Sequence, residues 1–174
     1  MQQSETWDLY DKFRNVTGKT IERGENIPYG LYHLVVFAIV FNSTGELLIQ
    51  RRASDAIGWP GLWDFTAGGS ACVGETSQEA AQRELFEEVG VSCDLSDARP
   101  HFTTYDQSMI VDYYIIKQDL DPFKLALQAE EVQAVRWAGK EEILRMIDDG
   151  TFVPLKKGLV EFTFDMRLGH GVTT

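Results

Sequence analysis

The sequence predicts an α+β fold, a mixed β-sheet flanked by helices. Three observations carry this. The segment His33–Phe41 is almost wholly apolar and rich in β-branched residues, the pattern of a central strand buried on both faces. Strand-like and helix-like segments come in blocks, with no regular βαβ rhythm. With 174 residues the chain is long enough to bury a sizeable core as one domain.

The elements follow in order. Thr6–Asp11 alternates loosely, and Asn15–Ile21 is β-rich with a Thr17-Gly18 turn signal inside it. Gly24, Pro28 and Gly30 punctuate a loop. After the central strand, Asn42-Ser43-Thr44-Gly45 is a turn and Glu46–Arg51 the returning strand. Ala53–Gly69 holds four glycines, one proline and two tryptophans, and reads as an ordered loop with short strand pieces. A helix then starts at Thr76, whose partner Glu79 three residues later makes a capping box, and stops at Gly90. Strands are expected at Val91–Cys93, Phe102–Tyr105, Met109–Lys117 and Val132–Ala138. A second helix spans Gly139–Asp149, with Ile143, Leu144 and Ile147 at helical spacing, and a last one runs over Lys157–Arg167.

Composition excludes several classes. There are 16 basic against 27 acidic residues, a net charge of -11. Such a surface repels nucleic-acid phosphates and anionic membranes, whose affinity comes from Lys and Arg. It suits a protein that gathers divalent cations, and equally one that is merely soluble. Two cysteines, Cys72 and Cys93, are too few for a disulfide scaffold, so a reducing cytoplasm is the expected compartment. No apolar run approaches the ~20 residues of a membrane span. The start, MQQSETWDLY, lacks the basic and apolar regions of a signal peptide.

Chemistry concentrates in Gly69–Val91, GSACVGETSQEAAQRELFEEVGV. Glu84, Glu87 and Glu88 stand at i, i+3 and i+4, so their carboxylates share one helix face above Ala80. Ala81, Leu85 and Val89 form the neighbouring apolar stripe that docks on the sheet. Like charges at these spacings each cost roughly 0.2–0.5 kcal/mol in an isolated helix, and the C-terminal half of the dipole disfavours anions. A hard divalent cation turns that repulsion into binding. Arg83 stands four residues before Glu87 and holds one carboxylate in place. Three glutamates alone read as a solvated face. Here, however, Gly69, Glu75, Arg83-Glu84, Glu87-Glu88 and Gly90 fall in fixed spacing. Seven such positions coincide by chance on the order of once in 10⁸ windows, so the acidic face is read as functional.

This stretch resembles the Nudix box and matches every fixed position of that signature. Weaker similarity extends through His33–Phe41, the Gly58–Asp64 approach and Val135-Arg136-Trp137. The resemblance implies a Nudix fold and Mg²⁺- or Mn²⁺-dependent attack of water on a diphosphate linkage in a small nucleoside diphosphate derivative or similar metabolite. It implies Glu84, Glu87 and Glu88 as metal ligands and base, with the metal-binding carbonyl of Gly68 beside them. Arg83 then orients a glutamate, Glu75 braces the loop, and Glu130 or Glu131 is a further ligand or base. Arg51 or Arg52 is a candidate for the substrate phosphate, and Trp59 or Trp63 for stacking on a base. Many family members are dimers, so a homodimer is the expectation.

The N-terminal part, with Glu5–Asp11, Thr17-Gly18, Arg23-Gly24-Glu25 and Tyr32–Val36, is similar to the isopentenyl-diphosphate isomerase-like branch. That branch implies an N-terminal β-hairpin over residues 1–30, packed on a Nudix domain over 31–174. The true isomerases carry a catalytic cysteine where this chain has Ala67, and a metal-binding histidine where it has Ser70. Hydrolysis is therefore favoured over isomerisation, with a non-catalytic binding module as the third alternative. His33, deprived of that partner, reads as a structural residue at a strand end. Cys93 reads as a small core residue, and Cys72 as part of the variable loop.

Overall fold

The computed structural model describes residues 5–169; positions 1–4 and 170–174 of the two expected segments lie outside the described residues. β1 (Thr6–Tyr10) and β2 (Val16–Glu22) pair antiparallel as a hairpin. A seven-stranded mixed sheet follows, built from β3 (His33–Phe41), β4 (Leu47–Arg52), β5 (Trp63–Asp64), β6 (Ala67–Ser70), β7 (Phe102–Tyr105), β8 (Met109–Lys117) and β9 (Val132–Ala138). Its main path runs β5-β4-β3-β8-β7, with β6 also on β3 and β9 on β4. β3 and β8 run parallel, from His33 opposite Met109 to Phe41 opposite Lys117. The helices are α1 (Ser77–Val89), α2 (Lys140–Asp148) and α3 (Lys157–Met166). This is the α+β sandwich expected from the sequence.

The apolar run of β3 serves two cores. Leu34, Val36, Ala38 and Val40 face one cluster with Ala80, Ala81, Leu85 and Val89 of α1. Ile39 and Phe41 face the other, with Ile143 and Met146 of α2 and Val160 and Phe164 of α3. Helices on both faces are what make alternation disappear from the strand. α1 begins with the expected capping box: Glu79 N donates to the Thr76 hydroxyl, and Thr76 N donates to the Glu79 carboxylate. It ends at Gly90 in the left-handed conformation, φ 71°.

Two local expectations are corrected. Val91–Cys93 forms no strand. Val91 and Leu95 are buried, and Cys93 packs partly buried against the first core cluster, so their apolar character serves packing without a strand partner. Thr17-Gly18 does not turn the chain. The hairpin turn lies at residues 11–15, where the Asp11 carboxylate accepts from Phe13 N and Asn15 N at 2.8 and 2.9 Å. Asp8 faces Thr20 and Tyr10 faces Val16, so β2 carries two extra residues, and Gly18 at φ 74° takes up the bulge.

The hairpin is fastened to the sheet at several points. Tyr10 and Tyr32 exchange backbone hydrogen bonds of 2.8 and 3.0 Å, and Trp7 stacks on His33 at 4.4 Å. Val73 N donates to Thr6 O, and Gly74 N to the Asp8 carboxylate. Arg14, itself at φ 67°, reaches from the turn to grip both oxygens of Asp112, which is fully buried on β8. Ser77 and Thr103 donate their hydroxyls to the same carboxylate, at 2.5 and 2.7 Å. Burial pushes the Asp112 carboxyl up, but Arg14, Ser77 and Thr103 together outweigh it and hold it below the usual carboxylate range.

Arg14→Met is expected to strand that buried anion and cost the lower part of roughly 3–5 kcal/mol, since the Arg14 side chain is still 34% exposed. With its folded pKa depressed, Asp112 stabilises the protein above its unfolded pKa. That contribution is lost as pH falls through the folded value. Urea unfolding at neutral and acid pH checks both points: the variant is weaker at pH 7, and the gap narrows in acid.

Candidate active site

The site forms where α1 crosses β6. Within Ala67-Gly68-Gly69-Ser70, Gly69 puts no side chain between strand and helix. A Cβ on Gly69 would stand 2.3 Å from Oε1 of Glu84, so the absent methyl is the space the carboxylate fills. A Cβ on Gly68 would meet the Phe37 ring at 2.5 Å and the Val36 carbonyl at 2.9 Å.

Arg83 organises the helix face. Its Nε and Nη2 donate to the two Glu75 oxygens at 2.7 and 3.0 Å. Its Nη1 donates to Glu84 at 2.8 Å and to Glu87 at 3.1 Å, and Nη2 also donates to the Ser70 carbonyl at 3.1 Å. Glu75 in turn accepts from Cys72 N, fixing the loop. The three glutamates differ in burial. Glu87 is half exposed, Glu84 is 13% exposed at its side chain, and Glu88 is 2% exposed overall.

Glu88 accepts a 2.7 Å hydrogen bond from Nε2 of Gln50 on β4, while Oε1 of Gln50 is buried without a partner among the described residues. Burial pushes the Glu88 carboxyl well up, and Glu84, Glu131 and Asp64 add to the shift against the pull of Arg52. Glu84 is pushed up to about 7 by burial, with Glu87 and Glu131 adding and Arg83 opposing. Asp64, buried on β5, is pushed up to about 6 by burial against the Phe65 amide and Arg52. Glu131 belongs to this field because the loop before β9 is tied down. Gln128 N donates to the Glu88 carbonyl, and Ala53 N to that of Glu131.

Gly68, Glu84 and Glu131 line one cleft of about 540 Å³ together with Arg52. Glu130 lines an adjoining cavity of about 300 Å³. Arg51 and Trp63 line neither: Arg51 donates to the Gly61 carbonyl, and the Trp63 ring lies under Arg136 at 4.8 Å. Trp59 is exposed at φ 51° between the left-handed glycines Gly58 and Gly61. His33 stacks on Trp7 with its pKa lowered by burial to about 4, so it is neutral and structural at neutral pH. Gln50, Asp64 and Arg23 were not singled out by sequence reasoning. A signal for Gln50 was its polar amide in the apolar Leu47–Gln50 run.

The donor set of carboxylates and a backbone carbonyl fits a hard divalent cation. Crowded acids that raise one another's pKa are the electrostatic counterpart of such a charge. Among the described residues no three His, Cys, Asp or Glu side chains already converge to hold an ion. Mg²⁺ does not require such a cage, since it is usually held by one or two carboxylates with water and substrate phosphate.

Comparison with known proteins shows the family. Residues 31–156 match the family model of the NUDIX domain. The chain belongs to the Nudix family. An uncharacterised Nudix hydrolase of Listeria monocytogenes is 45% identical over 150 residues, covering 86% of this chain and 89% of that protein. An isopentenyl-diphosphate Delta-isomerase of Corynebacterium diphtheriae is 28% identical over 153 residues, covering 83% and 84%. The crystal structure of DR0079 from Deinococcus radiodurans superposes with a TM-score of 0.72 at 28% identity, covering 91% of this chain and 96% of that one. Among the described residues no helix is long and apolar enough to cross a membrane.

The raised carboxyls make a prediction for this Nudix chain without metal. A carboxyl whose folded pKa is raised stabilises the protein below its unfolded pKa and loses that contribution as pH rises through the folded value. For Glu84 the window runs from its ordinary 4.5 to about 7. With chelator present, the thermal midpoint is expected to fall between pH 4.5 and 7. Millimolar Mg²⁺ at pH 7.5 is expected to restore it, each kcal/mol moving the midpoint about 2–4 °C. Differential scanning calorimetry over that range checks both signs.

Proposed function

We propose that this Nudix protein is a Mg²⁺- or Mn²⁺-dependent hydrolase that cleaves a diphosphate linkage in a small metabolite, such as a nucleoside diphosphate derivative. The observation that carries the reading is Glu84, seated against Gly69 where it lines an open cleft with Gly68 and Glu131, with Glu88 buried four residues further along the same helix face. A divalent cation, when bound, offsets the negative charge of the diphosphate and acidifies water. The chain does the rest. Arg83 fixes Glu84 and Glu87 against Glu75, so the carboxylates are preorganised. Gln50 fixes Glu88. Glu84, Glu87, Glu88 and Glu131 are the candidate metal ligands and proton acceptors, and the Gly68 carbonyl is the candidate backbone ligand.

The isomerase-like relatives keep isomerisation as a second reading. Ala67 and Ser70 stand where the resemblance places the isomerase cysteine and histidine, so hydrolysis is preferred.

The test is hydrolysis of ADP-ribose, nucleoside di- and triphosphates, dinucleotide polyphosphates, nucleotide sugars and isopentenyl diphosphate, read by separating the phosphomonoester, pyrophosphate and phosphate products. Mg²⁺, Mn²⁺ and chelator are compared in each case. Cleavage of one class, abolished by chelator, is expected. Double-bond migration in isopentenyl diphosphate with no hydrolysis of any member of the panel would overturn the reading.

A further inference from the structure

We propose that Arg23, carried by the N-terminal hairpin, is a substrate-binding residue whose guanidinium takes a phosphoryl group of the diphosphate-bearing substrate. The inference deepens the hydrolase reading and rests on it.

The hairpin is a wall of the cleft. Arg23 directly follows β2, and its backbone N donates to Glu5 O at 2.8 Å, closing the open end of the hairpin. Arg23 and Arg52 both line the 540 Å³ cleft and the adjoining 300 Å³ cavity. The other charged residues of the larger cleft are acids, Glu5, Glu84 and Glu131. A diphosphate entering such a cleft is repelled unless cations face it.

The two arginines are not equivalent. Arg52 donates Nε to the Gly58 carbonyl at 2.9 Å and Nη2 to the Ile57 carbonyl at 3.1 Å, and lies 3.8 Å from Asp64. It staples the loop after β4. Arg23 is ion-paired through Nη1 with Glu5 at 3.0 Å, where the two side chains are 36% and 39% exposed. Exposed pairs of this kind are worth little, so exchanging the Glu5 carboxylate for a phosphoryl group is cheap. The planar guanidinium matches phosphoryl oxygens with two parallel hydrogen bonds. The backbone that carries it is already in place, through Val73 N to Thr6 O and the Arg14–Asp112 pair.

The experiment is calorimetric titration with imidodiphosphate, a non-hydrolysable diphosphate, at low salt with and without Mg²⁺. Arg23→Gln is expected to weaken binding by about tenfold in both conditions. Lys19→Gln makes the same charge change at an exposed hairpin position and is expected to change binding less than about twofold. In turnover, Arg23→Gln is expected to raise KM, with Arg23→Lys recovering part of the loss. Equal binding by wild type and Arg23→Gln overturns the proposal, as does an equal loss in Lys19→Gln or no binding by wild type. Arg23-dependent binding in a protein that hydrolyses nothing would sink the hydrolase reading and leave this contact standing.

Discussion

Glu88→Gln is expected to lower metal-dependent turnover by about 10³-fold or more, and at the same time to make the metal-free protein more stable. Both effects come from one cause. The Glu88 carboxylate is 2% exposed, and burial, Glu84, Glu131 and Asp64 all oppose its charge. Folding without metal therefore carries the cost of a protonated or uncompensated acid. The substitution keeps the shape and keeps an oxygen for the Gln50 donor. It also introduces an amide donor close to Gln50, whose Oε1 is buried without a partner among the described residues. Removing a buried, crowded charge in this way is worth about 1–2 kcal/mol, or roughly 2–8 °C in a chain of this size. The paired measurement is substrate hydrolysis with Mg²⁺ and thermal unfolding with chelator. Full activity would remove Glu88 from the site. A lower midpoint would mean that the buried carboxylate is structural.

The sequence disclosed the helix of the site more fully than its walls. Thr76, Glu79 and Gly90 set the ends of α1, and the i, i+3, i+4 spacing placed Glu84, Glu87 and Glu88 on one face, because both are local properties of 3.6-residue periodicity. Burial was not legible. Glu88 is buried against Gln50 of β4 while Glu87 stays half exposed, a difference set by how the helix packs on the sheet, which is a tertiary fact. The same limit separated Arg51 from Arg52. Neighbours on one strand point to opposite faces, and only the pairing of β4 with β5 and β9 decides which one meets the cleft. Arg23 was hidden for a different reason. It reaches the site through the docking of a hairpin distant in sequence, and no local pattern records that. The absent strand at Val91–Cys93 shows the converse error, since apolar residues that pack as a loop look like a strand when their partners are unknown.

The two adjacent glycines of β6 are expected to respond in opposite ways to the same added methyl. On Gly69, the new Cβ meets the Glu84 carboxylate at 2.3–2.8 Å. That carboxylate is the far end of a flexible side chain, so it swings aside and the fold survives. Its contact with Arg83 and its place beside Gly68 are lost. A displacement of about 1 Å in a catalytic group costs about 10²-fold in rate. Gly69→Ala is therefore expected to unfold near the wild-type midpoint with turnover reduced by about that factor. On Gly68, the Cβ meets the Phe37 ring at 2.5 Å and the Val36 carbonyl at 2.9 Å. Phe37 is wedged between Phe65 and Tyr113, at centroid distances of 5.8 and 5.4 Å, and Val36 O belongs to the central strand. Neither yields cheaply, so Gly68→Ala is expected to cost about 1–3 kcal/mol of stability. Urea midpoints and initial rates on the two variants separate these outcomes. Equal destabilisation would mean that Glu84 is held as rigidly as the core. Full activity in Gly69→Ala would mean that the Glu84 carboxylate takes no part in the reaction.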